Sequence, residues 1–212
     1  MLIVGAKGFA KEVLQVCHDN NGLENLAFFD DINYDIGDKL YNEFPILKSL
    51  DQVKEYFENT TNNFTIGIGG PQLRRMLFEK FTKIGGNYVS TVAKSAIIGT
   101  YDNIILPGTN IMQKAVLTNS LRIGKGVIIN QLSSIGHDVT ICDFVEVCPN
   151  VSISGNCVIG ENTFIGTGAI ILPKITIGKN VIVAAGAVIT NNIPDNCLVA
   201  GIPAVIKKTL QH

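Results

Sequence analysis

The chain holds three histidines, His18, His137 and His212, and of these only His137, in Ser134-Ile-Gly-His-Asp138, falls where the local spacing projects a side chain outward from a turn. An imidazole titrates near neutral pH, so one placed beside a bound nucleophile can take up its proton. From the residues alone two readings stand: a general base, or a histidine that only completes a surface turn. A second set lies at the N-terminus. Gly5-Ala6-Lys7-Gly8 follows the apolar run Leu2-Ile-Val4, where a glycine turn would meet a nucleotide, and Asp30-Asp31 follows the next such run, where a ribose or base would be read. The spacing is GxxGxA and not GxGxxG, so a tight connection remains an alternative for the glycines, and an exposed acidic turn for the aspartates. The five cysteines (Cys17, Cys142, Cys148, Cys157, Cys197) are odd in number and match no metal-ligand spacing. They read as buried, reduced thiols of a cytoplasmic protein, with no metal expected.

The element that must position His137 is a repeat. Every sixth residue from Ile105 to Ile189 is Ile, Leu or Val, fifteen positions without exception. Four residues after each, from Val127 to Ala187, comes a small or β-branched residue. A six-residue period fits neither an amphipathic helix nor a flat sheet, and three such hexads make one triangular coil of a parallel β-solenoid. The run supplies roughly five coils, and Val92 and Ile98 imply an earlier one whose register slips by one residue. Gly124, Gly136, Gly160, Gly166 and Gly178 follow aliphatic positions and are expected at tight corners. Pro107, Pro149 and Pro173 also fall at corners, where a missing N–H is tolerated.

Residues 1–90 obey a different rule. Strands at 2–4, 26–29 and 64–68 alternate with helices at 9–19, 51–58 and 71–84, the last with Pro71 at its first position. This describes a small parallel α/β sheet with its ligand site at the carboxyl ends of the strands. About 85 residues give only half of a dinucleotide-binding sheet, which disfavours NAD and suits a mononucleotide or the nucleotide end of a nucleotide-sugar. The expected division is 1–90, α/β, and 91–212, solenoid.

Composition closes off other classes. With 46% hydrophobic and 17% charged residues the chain is not disordered. A formal charge of −1 without a basic block excludes nucleic acid as a natural partner. No run of 18 or so apolar residues suits a membrane span, and Met1-Leu-Ile-Val-Gly5 carries no export signal.

A half-Rossmann unit joined to hexapeptide repeats resembles the PglD/NeuD/PerB-type sugar acetyltransferases. The resemblance rests on Gly5-Ala-Lys-Gly8, Phe28-Phe-Asp-Asp31, Ile66-Gly-Ile-Gly69-Gly70 before a basic helix, Asn130-Gln-Leu-Ser-Ser-Ile-Gly-His-Asp138 and Val199-Ala-Gly-Ile-Pro-Ala204. It implies a left-handed β-helix, a homotrimer with active sites between chains, acetyl-CoA as acetyl donor, and a nucleotide-linked amino sugar as acceptor. It also implies His137 as general base, Asp138 as its orienting acid, and Asn130, Gly69 and Gly70 near the substrate. Glu146, Gly155, Thr167, Ala185 and Gly186 are implied at the donor. Nine residues after His137, where many members carry a second histidine near the acetyl group, this chain has Glu146.

Three rivals share parts of this pattern. A solenoid metalloenzyme of the γ-carbonic anhydrase kind needs three histidines on zinc, and the repeat holds one. A non-catalytic trimeric sugar-binding scaffold would make the His137-Asp138 pair a coincidence. Within the family, O-acetylation of a sialic acid stands beside N-acetylation of a nucleotide-linked 4-amino sugar.

Overall fold

The computed structural model describes residues 1–210, the side chain of Tyr34 excepted, so His212 lies outside the described residues. The N-terminal part runs β1 (Leu2–Val4), α1 (Gly8–Asp19), β2 (Ala27–Phe29), β3 (Lys39–Leu40), β4 (Phe44–Leu47), α2 (Leu50–Asn59), β5 (Asn63–Ile66), α3 (Pro71–Lys83) and β6 (Asn87–Tyr88). The sheet order is β3-β4-β2-β1-β5-β6, parallel except for the β3–β4 hairpin. Leu2, Ile3, Val4, Phe28, Phe64 and Ile66 are all but fully buried, as expected of strands covered on both faces. The strand expected at 64–68 ends at Ile66, because Gly67 lies under α1: a Cβ there would sit 2.7 Å from the Cα of Ala10. Sequence reasoning did not anticipate β3, β4 or β6. They are two to four residues long, and Pro45 interrupts the apolar pattern of β4. α2 begins with a capping box in which Ser49 and Gln52 satisfy one another's backbone N–H groups.

From Thr91 the chain winds into a left-handed parallel β-helix of triangular section. Two-residue strands stack into three flat faces. Face I includes Asn110–Ile111, Ile128–Ile129, Glu146–Val147, Phe164–Ile165 and Ile182–Val183. Face II includes Val116–Leu117, Ser134–Ile135, Ser152–Ile153 and Ile170–Ile171, and face III includes Arg122–Ile123, Thr140–Ile141 and Val158–Ile159. Partners in successive coils lie eighteen residues apart, as in Ile129 with Val147 and Val147 with Ile165. Val92 pairs with Ile111, nineteen apart, which is the register slip anticipated in the first coil. Of the fifteen aliphatic positions, all but Ile105 are buried to 1% exposure or less.

The corners are made differently from the expectation. Every sixth residue from Asp102 to Gly186 has a left-handed φ between +53° and +77°, and Asn, Asp, Lys, Ser, Leu, Phe and Gly all occupy such positions. The glycines expected to make these turns precede them by two residues and have ordinary φ. Their reason is stacking: a Cβ on Gly160 would lie 2.4 Å from the carbonyl carbon of Gly178, and one on Gly124 2.6 Å from the amide nitrogen of Asp143. The last coil ends in the hairpin Cys197–Gly201 and Ala204–Thr209, whose outer strand carries Lys207 and Lys208 at the free edge.

The α/β part sits on face I. Asn110, buried to 1%, accepts from the hydroxyls of Thr65 (3.1 Å) and Thr91 (2.6 Å) and donates to the Ile66 carbonyl (2.9 Å), tying the end of β5 to the solenoid. Phe144, at the corner between faces III and I, packs on Phe78 of α3 at 5.6 Å and lies under the Arg75 guanidinium at 4.8 Å. Replacing Asn110 by Ala strands two buried hydroxyls and a carbonyl, and should destabilise the protein by about 1–3 kcal/mol. Denaturant titration checks this, and an unmoved midpoint would show that the buried polar knot contributes nothing.

Candidate active site

The carboxyl ends of β1, β2 and β5 open into a cleft of about 360 Å³. It brings together Gly5, Ala6, Lys7, Gly8, Asp30, Asp31 and Gly69, with Ile32, Leu73 and Leu77 as apolar wall. Gly5 has φ +105°, and a Cβ there would lie 2.6 Å from Ile68, so the turn after β1 requires glycine. α1 starts at Gly8 with no side-chain cap from Lys7, so its first N–H groups lack a side-chain partner, and Gly8 and Phe9 line the cleft. The Lys7 ammonium is held by Asp35 at 3.0 Å.

The two aspartates have local partners. Asp30, 8% exposed, accepts from the backbone N–H of Ile32 and Asn33 and from the Asn33 side chain. Burial alone would raise its carboxyl, and these hydrogen bonds outweigh it and hold the group below its ordinary value. Asp31 pairs with Lys80 at 3.2 Å. Asp30 therefore shapes the cleft rim, with Asn33 a contributor that no sequence signal marked.

His137 occupies the corner between faces II and III, exposed to solvent. Its Nδ1 lies 2.7 Å from Asp138 Oδ2, and Asp138 is itself a left-handed corner residue at φ +57°. The ring lies over Gly155 in the next coil: a Cβ on Gly155 would be 2.6 Å from Nε2 and 2.7 Å from Cε1. The ring thus rests against a residue without a Cβ, with Nδ1 engaged by Asp138. Burial pushes the Cys17 thiol up to about 11 and the Cys148 thiol up to about 12, which makes neither a nucleophile near neutral pH. Among the described residues no group of His, Cys, Asp and Glu could hold a metal ion, and no helix is long and apolar enough to cross a membrane.

The remaining positions lie elsewhere. Thr167 and Ala185-Gly186 stack at the corner between faces I and II, where Gly186 N–H donates to the Thr167 carbonyl at 2.9 Å. Cβ atoms on Gly168 and Gly186 would meet nothing within 4 Å, so this edge is open. Asn130, on face I, donates to the Val147 carbonyl and does not line the α/β cleft. Gly70 lines a separate depression of about 510 Å³, and its N–H is taken by Glu146 at 2.7 Å. Glu146 itself, expected at the donor, is 8% exposed and faces Arg74. Arg74 was not singled out from sequence, since a basic residue in a short surface helix reads as solvated. One chain thus gathers the cleft, Asn130 and Glu146 on face I, and His137, Asp138 and Gly155 at the opposite corner.

Residues 1–81 match the PglD N-terminal domain family, and residues 156–191 match the bacterial transferase hexapeptide family. The acetyltransferase domain of PglB from Neisseria gonorrhoeae is 30% identical, with 97% of this chain and 98% of that chain covered and a TM-score of 0.85. PerB from Caulobacter crescentus, solved with CoA and GDP-perosamine, is 26% identical over 98% of this chain and 96% of its own, with a TM-score of 0.89. The GDP-perosamine N-acetyltransferase of Escherichia coli O157:H7 is 26% identical over 95% of this chain and 93% of its own length. Against other acyltransferases the chain spans only about a quarter to a half of the relative's length. Both parts of the chain, in the same order and over nearly its full length, place it in the PglD/NeuD/PerB-type family of acetyl-CoA-dependent sugar N-acetyltransferases.

Proposed function

We propose that this protein moves the acetyl group of acetyl-CoA to the amine of a nucleotide-linked amino sugar, with His137 as general base. The observation that carries the reading is the His137–Asp138 contact of 2.7 Å at an exposed corner, with the ring held against Gly155. An attacking amine must lose a proton as it bonds to the thioester carbon, and His137 Nε2 receives it. Asp138 fixes the ring through Nδ1 and stabilises the imidazolium that forms, as a carboxylate does in a triad. The Gly155 N–H beside the ring is the donor assigned to the thioester oxygen. The cleft at Gly5–Gly8 holds the nucleotide, its phosphates at the start of α1, and the open corner at Thr167 and Ala185-Gly186 carries the pantetheine arm.

The geometry supports a site shared between copies. His137 lies at the corner opposite face I, while the cleft is carried on face I, so within one chain the whole width of the prism separates base from acceptor. Three prisms side by side would bring one chain's His137 corner to its neighbour's cleft. We propose that the protein is a homotrimer of bacterial surface-glycan synthesis, and sedimentation is expected to give a single species of three chains; a monomer retaining full activity would refute the shared site.

Thiol release from acetyl-CoA is followed with UDP-, dTDP- and GDP-linked 4-amino sugars, with sialic acid as the hydroxyl acceptor. Turnover is expected with an amino sugar, and His137→Ala should lower it by about 10²–10⁴-fold while acetyl-CoA still binds. Activity on sialic acid alone would replace this reading by O-acetylation, and silence on all acceptors without acetyl-CoA binding would leave a scaffold. Gly155→Ala should displace the imidazole and lower kcat on the order of 10²-fold without unfolding the protein. An unchanged kcat in that variant would show that the ring position does not matter.

A further inference from the structure

The solenoid also reaches the nucleotide cleft, through a buried ion pair. Glu146 Oε2 accepts the Gly70 N–H at 2.7 Å and lies 3.4 Å from Arg74 Nη1. Arg74 is fully buried, and its Nη2 donates to the carbonyls of Phe144 (2.7 Å) and Val145 (3.1 Å). All three solenoid acceptors lie in one short stretch, 144–146. Gly70, at φ +86°, is the N-cap of α3 and Arg74 lies in its first turn, so that stretch grips the helix exactly where it begins its course along the cleft. The neighbours of the gripped residues form the cleft wall: Gly69 and Leu73 line it, and a Cβ on Gly69 would come within 3.1 Å of Glu146 Oε1.

We propose that Glu146 is a positioning residue for the acceptor, acting through Gly70 and Arg74 to set the Gly69–Leu73 wall of the nucleotide cleft. Burying a guanidinium is costly unless its charge is met, and Arg74, whose Nε has no hydrogen-bond partner among the described residues, depends on Glu146 and the two carbonyls for the rest, so the pair ties the start of α3 to the solenoid. Burial pulls the Arg74 guanidinium below its ordinary value and Glu146 opposes this, which makes the carboxylate the group that keeps the buried charge tolerable. On this assignment Glu146 tunes acceptor affinity. A residue facing the donor would tune acetyl-CoA affinity.

The proposal rests on the reading of the cleft as the nucleotide-sugar site, and the two can fail separately. Binding of GDP and UDP to the full chain is measured by calorimetry, and KM for acceptor and for acetyl-CoA by thiol release, for wild type, Glu146→Gln and Glu146→Ala. Gln keeps an oxygen for the Gly70 N–H and loses the charge facing Arg74; Ala loses both. The expected result is a graded weakening of nucleotide binding and a matching rise in acceptor KM, several-fold in Gln and tenfold or more in Ala, with kcat and acetyl-CoA KM within twofold of wild type. A rise in acetyl-CoA KM with acceptor KM unchanged would overturn the proposal and return Glu146 to the donor site. Equal nucleotide binding in all three proteins would also overturn it. Wild type that binds neither nucleotide would instead sink the cleft reading. If Ala fails to fold, the Gln variant decides by the same criteria.

Discussion

The eighteen-residue register between coils is the constraint on which the rest of the structure depends. Backbone hydrogen bonds between successive coils hold only if each coil has the same length, and the aliphatic positions fill the interior only in that register. The register also decides chemistry. It puts Gly155 one coil beyond His137, so the imidazole rests on a residue without a Cβ, and it puts Asp138 at a corner whose left-handed backbone turns the carboxylate to Nδ1. The catalytic assignment is thus a property of the stack, and a one-residue insertion between His137 and Gly155 would break it.

Much of this was legible in the sequence, because a fixed period is a global signal. Fifteen aliphatic positions at a spacing of six define the solenoid without reference to any neighbour, and the slip before Ile105 showed in the same count. The glycine turn and the two aspartates were placed at one cleft by the alternation of strands and helices. What was not legible depends on contacts between distant residues. Whether a glycine serves a turn or a close approach depends on the coil above it, which is why Gly124 and Gly160 were given the wrong reason. β3 and β4 are too short to show a pattern; β4 adds to the edge of β2 and β3 to that of β4. Gly70 and Asn130 came with a motif, and the structure shows their N–H groups engaged within the protein.

The interface between the two parts follows from the same physics. Face I carries polar residues, Asn110 and Glu146, at positions that would face water in an isolated solenoid, and the α/β part meets each with a matched partner. Thr65 and the Ile66 carbonyl come from β5, while Gly70 and Arg74 come from the start of α3, so two of the elements that border the cleft are fastened to the solenoid. The cleft is thus fastened to face I and lies on the far side of the prism from His137.

That separation makes subunit mixing the most direct measurement of the central claim. Gly8 lines the cleft and a Cβ there meets nothing within 4 Å, so Gly8→Trp should fill the cleft without disturbing the fold. His137→Ala and Gly8→Trp, each inactive alone, are co-expressed and the mixed assemblies assayed for acetyl transfer. If each site pairs one chain's cleft with its neighbour's histidine, random mixing in equal amounts restores about a quarter of wild-type activity. Mixed assemblies no more active than either parent would show that cleft and histidine act within one chain, or not together at all, and would contradict the account.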